Sequence, residues 1–172
     1  MSSEADLRAP LVALERHGVS LIVIGGIAAI AQGYPLTTND LDVTPARGAE
    51  NIARLVDALR ELEAKLRTPT EPVEFPIDEK MLSGADAWTF TTKAGPLELV
   101  FSPPGTGGYE DLRRDAVELD LGTTKPVLVA SLRDVIRIKE ATSREKDRAQ
   151  LPALRRTLEV IRERERQGRE RS

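Results

Sequence analysis

Cysteine is absent from this 172-residue chain, which excludes disulfides and thiolate metal sites and fits a reducing, cytoplasmic setting. Histidine occurs once, as His17 beside Gly18. That excludes a histidine-rich metal centre and speaks against a Ser-His-Asp triad; His17 reads as a surface or helix C-cap residue. Aromatic residues are only 3% of the chain, so the core falls to Leu, Val, Ile and Ala, and no base-stacking platform is apparent. Apolar runs such as Leu21–Ile24 are too short to span a membrane, and Met1-Ser2-Ser3-Glu4 is too polar to open a signal peptide. No charge sign dominates: a net charge of −3 argues against a protein that coats DNA non-specifically. Neither the G-x-x-x-x-G-K-[ST] phosphate loop nor the G-x-G-x-x-G dinucleotide fingerprint occurs. With no internal repeat and no long linker, one domain is expected.

What is present concentrates between residues 21 and 43. A β-branched strand runs into Gly25-Gly26. A short helix over 26–32 follows, stopped by Gly33, and Pro35 blocks helix through Tyr34. A second strand over 40–43 carries Asp40 and Asp42. Side chains two apart share a strand face, so the two carboxylates are expected to point one way, with Leu41 in the core. Like charges so placed repel unless a cation lies between them or one is protonated. Oxygen-only ligands suit Mg²⁺, which takes one or two carboxylates plus substrate phosphates. Glycine lets backbone N–H groups approach a phosphate, and the next helix offers its positive N-terminus. The combination points to a nucleotide-and-metal site, although D-x-D alone also occurs in turns and exposed strands.

Elsewhere, Leu7, Leu11 and Leu14 mark a first helix ended by Gly18. Beyond Pro45, the stripe Ile52, Leu55, Leu59, Leu62 and Leu66 marks a long helix. Pro69, Pro72 and Pro76 make 68–80 loop-like. Strands are expected over 88–92 and 97–101, joined by a turn at 93–96. A loop over 103–108, a helical turn over 109–114 and short strands over 116–121 and 126–129 follow. Ser131 caps a helix with Asp134 three residues on and Leu132, Val135, Ile136 and Lys139 at helical spacing. Ser143 caps a last helix with the stripe Leu151, Leu154, Leu158 and Ile161. The division is thus a core over 1–130 and a helical extension over 131–172, with a basic tail that frays after about residue 165. The tail holds Arg155, Arg156, Arg162, Arg164, Arg166, Arg169 and Arg171 among Glu159, Glu163, Glu165 and Glu170. It is either an RNA-touching end or a solvated face with i,i+4 ion pairs.

Two further groups carry chemistry. Glu98 lies between Leu97 and Leu99 on an expected strand, where a buried, unpaired charge costs roughly several kcal/mol. On a strand beside Asp40 and Asp42 it completes a three-carboxylate cluster able to hold two Mg²⁺ ions about 3.5–4 Å apart. The alternative is an edge-strand carboxylate facing water. Lys139, Arg144, Lys146 and Asp147 form the second group. Lys139 suits triphosphate charge as a compact cation, and Asp147 caps the last helix or orients Lys139. Ordinary helix-end electrostatics accounts for the same residues.

Ile24-Gly25-Gly26 followed by Thr38-Asn39-Asp40-Leu41-Asp42 resembles the active-site signature of the DNA polymerase β-like nucleotidyltransferases. Gly95-Pro96-Leu97-Glu98-Leu99 and the segment from Lys139 through Arg144, Lys146 and Asp147 bring it closer to the small bacterial nucleotidyltransferases of the abortive-infection toxin type. The likeness runs from about residue 21 to residue 154. It implies an α/β (α+β) nucleotidyltransferase fold, a small mixed sheet flanked by helices with a helical C-terminal extension. By the same likeness Asp40, Asp42 and Glu98 bind Mg²⁺, and Gly25, Gly26 and Thr38 border the nucleotide's phosphates. Lys139, Arg144 and Lys146 face the triphosphate, and Asp147 supports the site. The implied reaction moves a nucleoside monophosphate from an NTP to an acceptor hydroxyl. The implied acceptor is the 3′ end of tRNA, in a toxin paired with an antitoxin. A protein hydroxyl, as in minimal nucleotidyltransferases that adenylylate a toxin partner, is a second acceptor. A nucleotide- or partner-binding module with a degraded site is a third reading. Two departures stand out: Glu98 replaces the more usual Asp, and Leu36 replaces an arginine frequent in relatives.

Overall fold

Alternating burial over residues 89–92 and 96–100 sets the two faces of the sheet, whereas residues 21–24 are buried throughout. The computed structural model describes residues 8–35, 37–142 and 144–172; the expectations for Leu7, Leu36 and Ser143 lie outside them. A mixed sheet contains β1 (Leu21–Ile24), β2 (Leu41–Pro45), β3 (Lys65–Leu66), β4 (Ala87–Thr92), β5 (Gly95–Val100), β6 (Val117–Leu119) and β7 (Val127–Val129). Their order is β3-β4-β5-β2-β1-β7-β6. β2 runs parallel to β5 and β1 parallel to β7, and the other neighbours are antiparallel. Leu41 and Val43 of β2, Leu97 and Leu99 of β5 and Phe90 of β4 are fully buried. Period two therefore turns Asp42, Glu98 and Thr89 to the opposite face.

The buried cluster is completed by Leu11 and Leu14 of α1 (Arg8–Arg16) and by Ile52, Leu55, Val56 and Leu59 of α3 (Ala49–Glu61). On the carboxylate side, α2 (Gly25–Ala31) contacts β1, β2 and α6 (Leu132–Thr142). The remaining helices are α4 (Glu79–Ser83), α5 (Tyr109–Arg113) and the long α7 (Glu145–Glu170), which packs on α6. No helix among the described residues is long and apolar enough to cross a membrane.

Three expectations are corrected. Leu66 does not continue the α3 stripe but pairs with Phe90 in β3. The helix stops because Glu63 takes a left-handed φ of 51° and the Ala64 N–H bonds back to the Leu59 carbonyl, the closure of a Schellman motif made without glycine. The 68–80 segment is not wholly loop: Val73 bridges to Leu66, and α4 begins at Glu79, capped by the Asp78 carboxylate accepting from the Met81 N–H at 2.7 Å. Asp40 lies just outside β2 rather than on it. α7 runs through Glu170, and its Arg/Glu run is made of good helix formers.

Candidate active site

Parallel pairing of β2 with β5 makes Asp42 and Glu98 direct cross-strand partners. Glu98 is flanked on its other side by Thr89 of β4, so it occupies an interior strand and the edge-strand reading fails. Asp42 Oδ1 is buried without a hydrogen-bond partner among the described residues. Burial is the main force pushing the Asp42 carboxyl up to about 8, followed by the charge of Glu98 and a hydrogen bond between the two; Asp40 adds to the rise and Lys139 opposes it. Near neutral pH, Asp42 therefore holds a proton against Glu98. A bound cation would relieve the same repulsion. Asp40 stands at the mouth of the site, its side chain half-exposed and 3.7 Å from Arg67, while its N–H donates to Thr38 Oγ1 at 3.4 Å.

The glycine pair is required by close approach. A Cβ at Gly25, where φ is +68°, falls 2.3 Å from Asp42 Oδ2, and one at Gly26 falls 2.9 Å from the Thr38 Cβ. These residues thus seat α2 directly against the carboxylate strand and the Thr38 loop. Gly25→Ala is expected to displace the Asp42 carboxylate and to cost about 1 kcal/mol or more from the left-handed backbone alone. Thermal unfolding of that variant checks the cost.

The opposite wall comes from the two C-terminal helices. Lys139 Nζ is 3.2 Å from Asp147 Oδ1, and the Thr142 hydroxyl donates to Asp147 Oδ2. Arg144 Nε lies 3.5 Å from the same oxygen. Burial acts to raise the Asp147 carboxyl, but the Thr142 and Lys139 hydrogen bonds, with the charges of Lys139 and Arg144, outweigh it and hold the group below its ordinary value. Asp147 is therefore a charged brace for Lys139. The start of α6 is fixed by Ser131 Oγ, which accepts from the Asp134 N–H at 3.1 Å. Gln32 ties it to α2, donating to the Ala130 carbonyl and accepting from the Leu132 N–H. Asp147→Asn is expected to loosen Lys139 and to cost about 1.5–3 kcal/mol of stability, the loss of one charge-assisted hydrogen bond; urea unfolding checks it.

All ten residues singled out in the sequence line one cavity of about 610 Å³: Gly25, Gly26, Thr38, Asp40, Asp42, Glu98, Lys139, Arg144, Lys146 and Asp147. Tyr34, Asp86, Thr142 and Gln150 also line it and were not anticipated, since no local spacing marks them. Among the described residues no three His, Cys, Asp or Glu side chains stand close enough to hold a cation by themselves. The expected three-carboxylate cluster is thus not preassembled, because Asp40 lies outside the strand and is drawn toward Arg67. The donor set still fits Mg²⁺, which needs only one or two carboxylates beside water and phosphate oxygens, and the orphaned Asp42 oxygen supplies one.

The seven-stranded mixed sheet flanked by helices has the α/β nucleotidyltransferase fold. Solved structures with that fold are similar to this chain along most of its length. The lincosamide antibiotic adenylyltransferase LnuA, lincomycin-bound, shares 13% identity at a TM-score of 0.59 and covers 89% of this chain and 96% of its own. The antibiotic-resistance factor ANT(2")-Ia is similar in its complex with adenylyl-2"-tobramycin, at 13% identity and a TM-score of 0.55, covering 94% of this chain and 90% of its own. Its solution structure gives 16% identity and a TM-score of 0.53, covering 95% of this chain and 91% of its own. No family model matches the sequence, and no curated protein sequence matches it; at these identities the likeness is one of fold.

Proposed function

We propose that this protein is a Mg²⁺-dependent nucleotidyltransferase that moves a nucleoside monophosphate from an NTP to an acceptor hydroxyl and releases pyrophosphate. The observation that carries the reading is the pairing of Asp42 with Glu98 across from the braced Lys139 in one cavity. Asp42 and Glu98, joined by Asp40, are the residues to hold Mg²⁺. Bound there, the ion supplies charge neutralisation at the transferring and leaving oxygens. Lys139 meets the triphosphate as a compact cation, kept in place by Asp147. Arg144 and Lys146 extend that positive wall. Gly25, Gly26 and Thr38 hold α2 against the carboxylates and keep the phosphate side of the cavity free of side-chain bulk.

For the acceptor we favour the 3′ end of an RNA, tRNA foremost, and with it a toxin role opposite an antitoxin. Support comes from α7. Its first turns line the cavity through Lys146 and Gln150, and the same helix continues as an exposed face bearing Arg162, Arg166 and Arg169, beyond an Arg155 that pairs with Glu140. A phosphate backbone leaving the site along that face meets guanidinium groups at intervals. A second reading takes a small-molecule hydroxyl as acceptor. It is favoured by the neighbours that hold lincomycin and adenylylated tobramycin.

Label from the α-phosphate of each NTP decides between them, in a mixture of total tRNA, cell protein, a lincosamide and an aminoglycoside. Label in RNA, lost with Asp42→Asn, is the expected result. Label on an antibiotic promotes the small-molecule reading, and label on protein promotes a protein adenylyltransferase. Bound nucleotide with no transfer to any acceptor leaves a binding module.

A further inference from the structure

The cations considered so far all come from α6 and α7, on one side of the carboxylates. A further arginine approaches from the other side. β3 pairs with β4 as Lys65↔Thr91 and Leu66↔Phe90. The ladder extends one residue further, since the Arg67 N–H donates to the Thr89 carbonyl at 3.0 Å. Thr89 is the partner of Glu98, and Glu98 of Asp42. Phe90 is buried in the core and its partner Leu66 turns with it, so alternation directs Arg67 to the carboxylate face. There Arg67 Nη1 is 3.7 Å from Asp40 Oδ1, with both side chains 49% exposed.

We infer that Arg67 is a phosphate-contacting residue of this site, gripping the substrate's triphosphate from the side opposite Lys139. The inference rests on the nucleotidyl-transfer reading and adds to it a residue from β3's end of the sheet. Three observations support it. At 3.7 Å the Asp40 contact is an ion pair too long for a hydrogen bond, so it leaves the guanidinium donors unspent. Among the described residues Arg67 makes no other ion pair. An exposed pair of this kind contributes about 0–1 kcal/mol to stability, so it gives little structural reason for an arginine here. Arg67 does not itself line the cavity, but Asp40, the residue it touches, does, and a planar fork with spare donors at that point suits bidentate phosphate recognition. Were Asp40 to help hold a cation, Arg67 would lose its carboxylate partner and keep its donors for phosphate oxygens.

The test uses the full chain and equilibrium binding of ribose-fluorophore NTPs in Mg²⁺ without acceptor, beside the matching fluorophore-labelled nucleosides. Arg67→Ala is expected to weaken triphosphate binding about tenfold or more and to leave nucleoside binding unchanged. Arg67→Lys is expected to recover part of the loss. Because Arg67 is half-exposed and its ladder bond is made by the backbone, circular dichroism of both variants is expected to match the parent. Equal triphosphate binding by Arg67→Ala and the parent overturns the inference. So does an equal loss for nucleoside and triphosphate, which marks a structural effect. Label transfer by the parent tells the two failures apart: transfer with an indifferent Arg67→Ala removes only this inference. Triphosphate binding sensitive to Arg67 without transfer removes only the reaction, and a parent that binds no triphosphate removes both.

Discussion

Asp42→Asn is expected to abolish nucleotidyl transfer, by about a thousandfold or more, while leaving the fold intact. Asparagine keeps the volume beside Gly25, where a Cβ would already meet Asp42 Oδ2 at 2.3 Å, so packing does not change. What changes is the charge the side chain can offer a bound cation. The carboxylate pair that Asp42 forms with Glu98 loses the member best placed to hold a cation, whose contribution to transition-state charge stabilisation is several kcal/mol, or about three decades in rate. Pyrophosphate release by the parent and the variant, with circular dichroism to verify folding, measures the effect. A variant that retains more than about a tenth of the parent's rate removes Asp42 from the chemistry.

The second large effect is on stability, and its sign follows from the raised Asp42 carboxyl. The folded protein holds the Asp42 proton up to about pH 8, whereas the unfolded chain releases it near pH 4. Folded protein therefore binds more protons between these values, and stability falls as pH rises through that window. The slope is at most about 1.4 kcal/mol per pH unit. Metal-free protein is thus expected to unfold more readily at pH 8 than at pH 5 from this group. Asp42→Asn is expected to flatten the profile and to be more stable than the parent at the alkaline end. Added Mg²⁺ is expected to raise the parent's stability at pH 8, by binding the ionised pair in the folded state alone, and to do so far less for the variant. Urea unfolding from pH 5 to pH 9, with and without Mg²⁺, gives all these curves. A difference between parent and variant that stays constant with pH contradicts the raised carboxyl.

What was legible in the sequence was the chemistry that is local along the chain. Gly25-Gly26, Asp40 and Asp42 fall within one strand–helix–strand unit, so spacing alone brings them together. Glu98 was visible because a charge between Leu97 and Leu99 needs a reason, and Lys139 with Asp147 because both stand near a helix-to-helix turn. Their meeting in one cavity depends on the β2–β5 parallel pairing, which no periodicity encodes. Other features left no local mark. The end of α3 is made by a left-handed Glu63 where a glycine would have signalled the stop. Gln32 clamps α6 through bonds to Ala130 and Leu132, far away in sequence. Arg67 reaches Asp40 only because β3 and β4 place its strand end across the sheet from β2. Asp40 was read as a strand residue because D-x-D alternates correctly, yet the strand begins at Leu41. That one-residue difference puts its half-exposed side chain beside Arg67.

The most direct measurement compares α-labelled with γ-labelled NTP, using the pure protein, Mg²⁺ and the acceptor mixture. Transfer of the α-label to an acceptor, with the γ-label appearing in pyrophosphate and both lost in Asp42→Asn, is the expected result. It is the signature of nucleotidyl transfer at the Asp42–Glu98 pair. Transfer of the γ-label instead, or nucleotide bound with neither label moved, contradicts it.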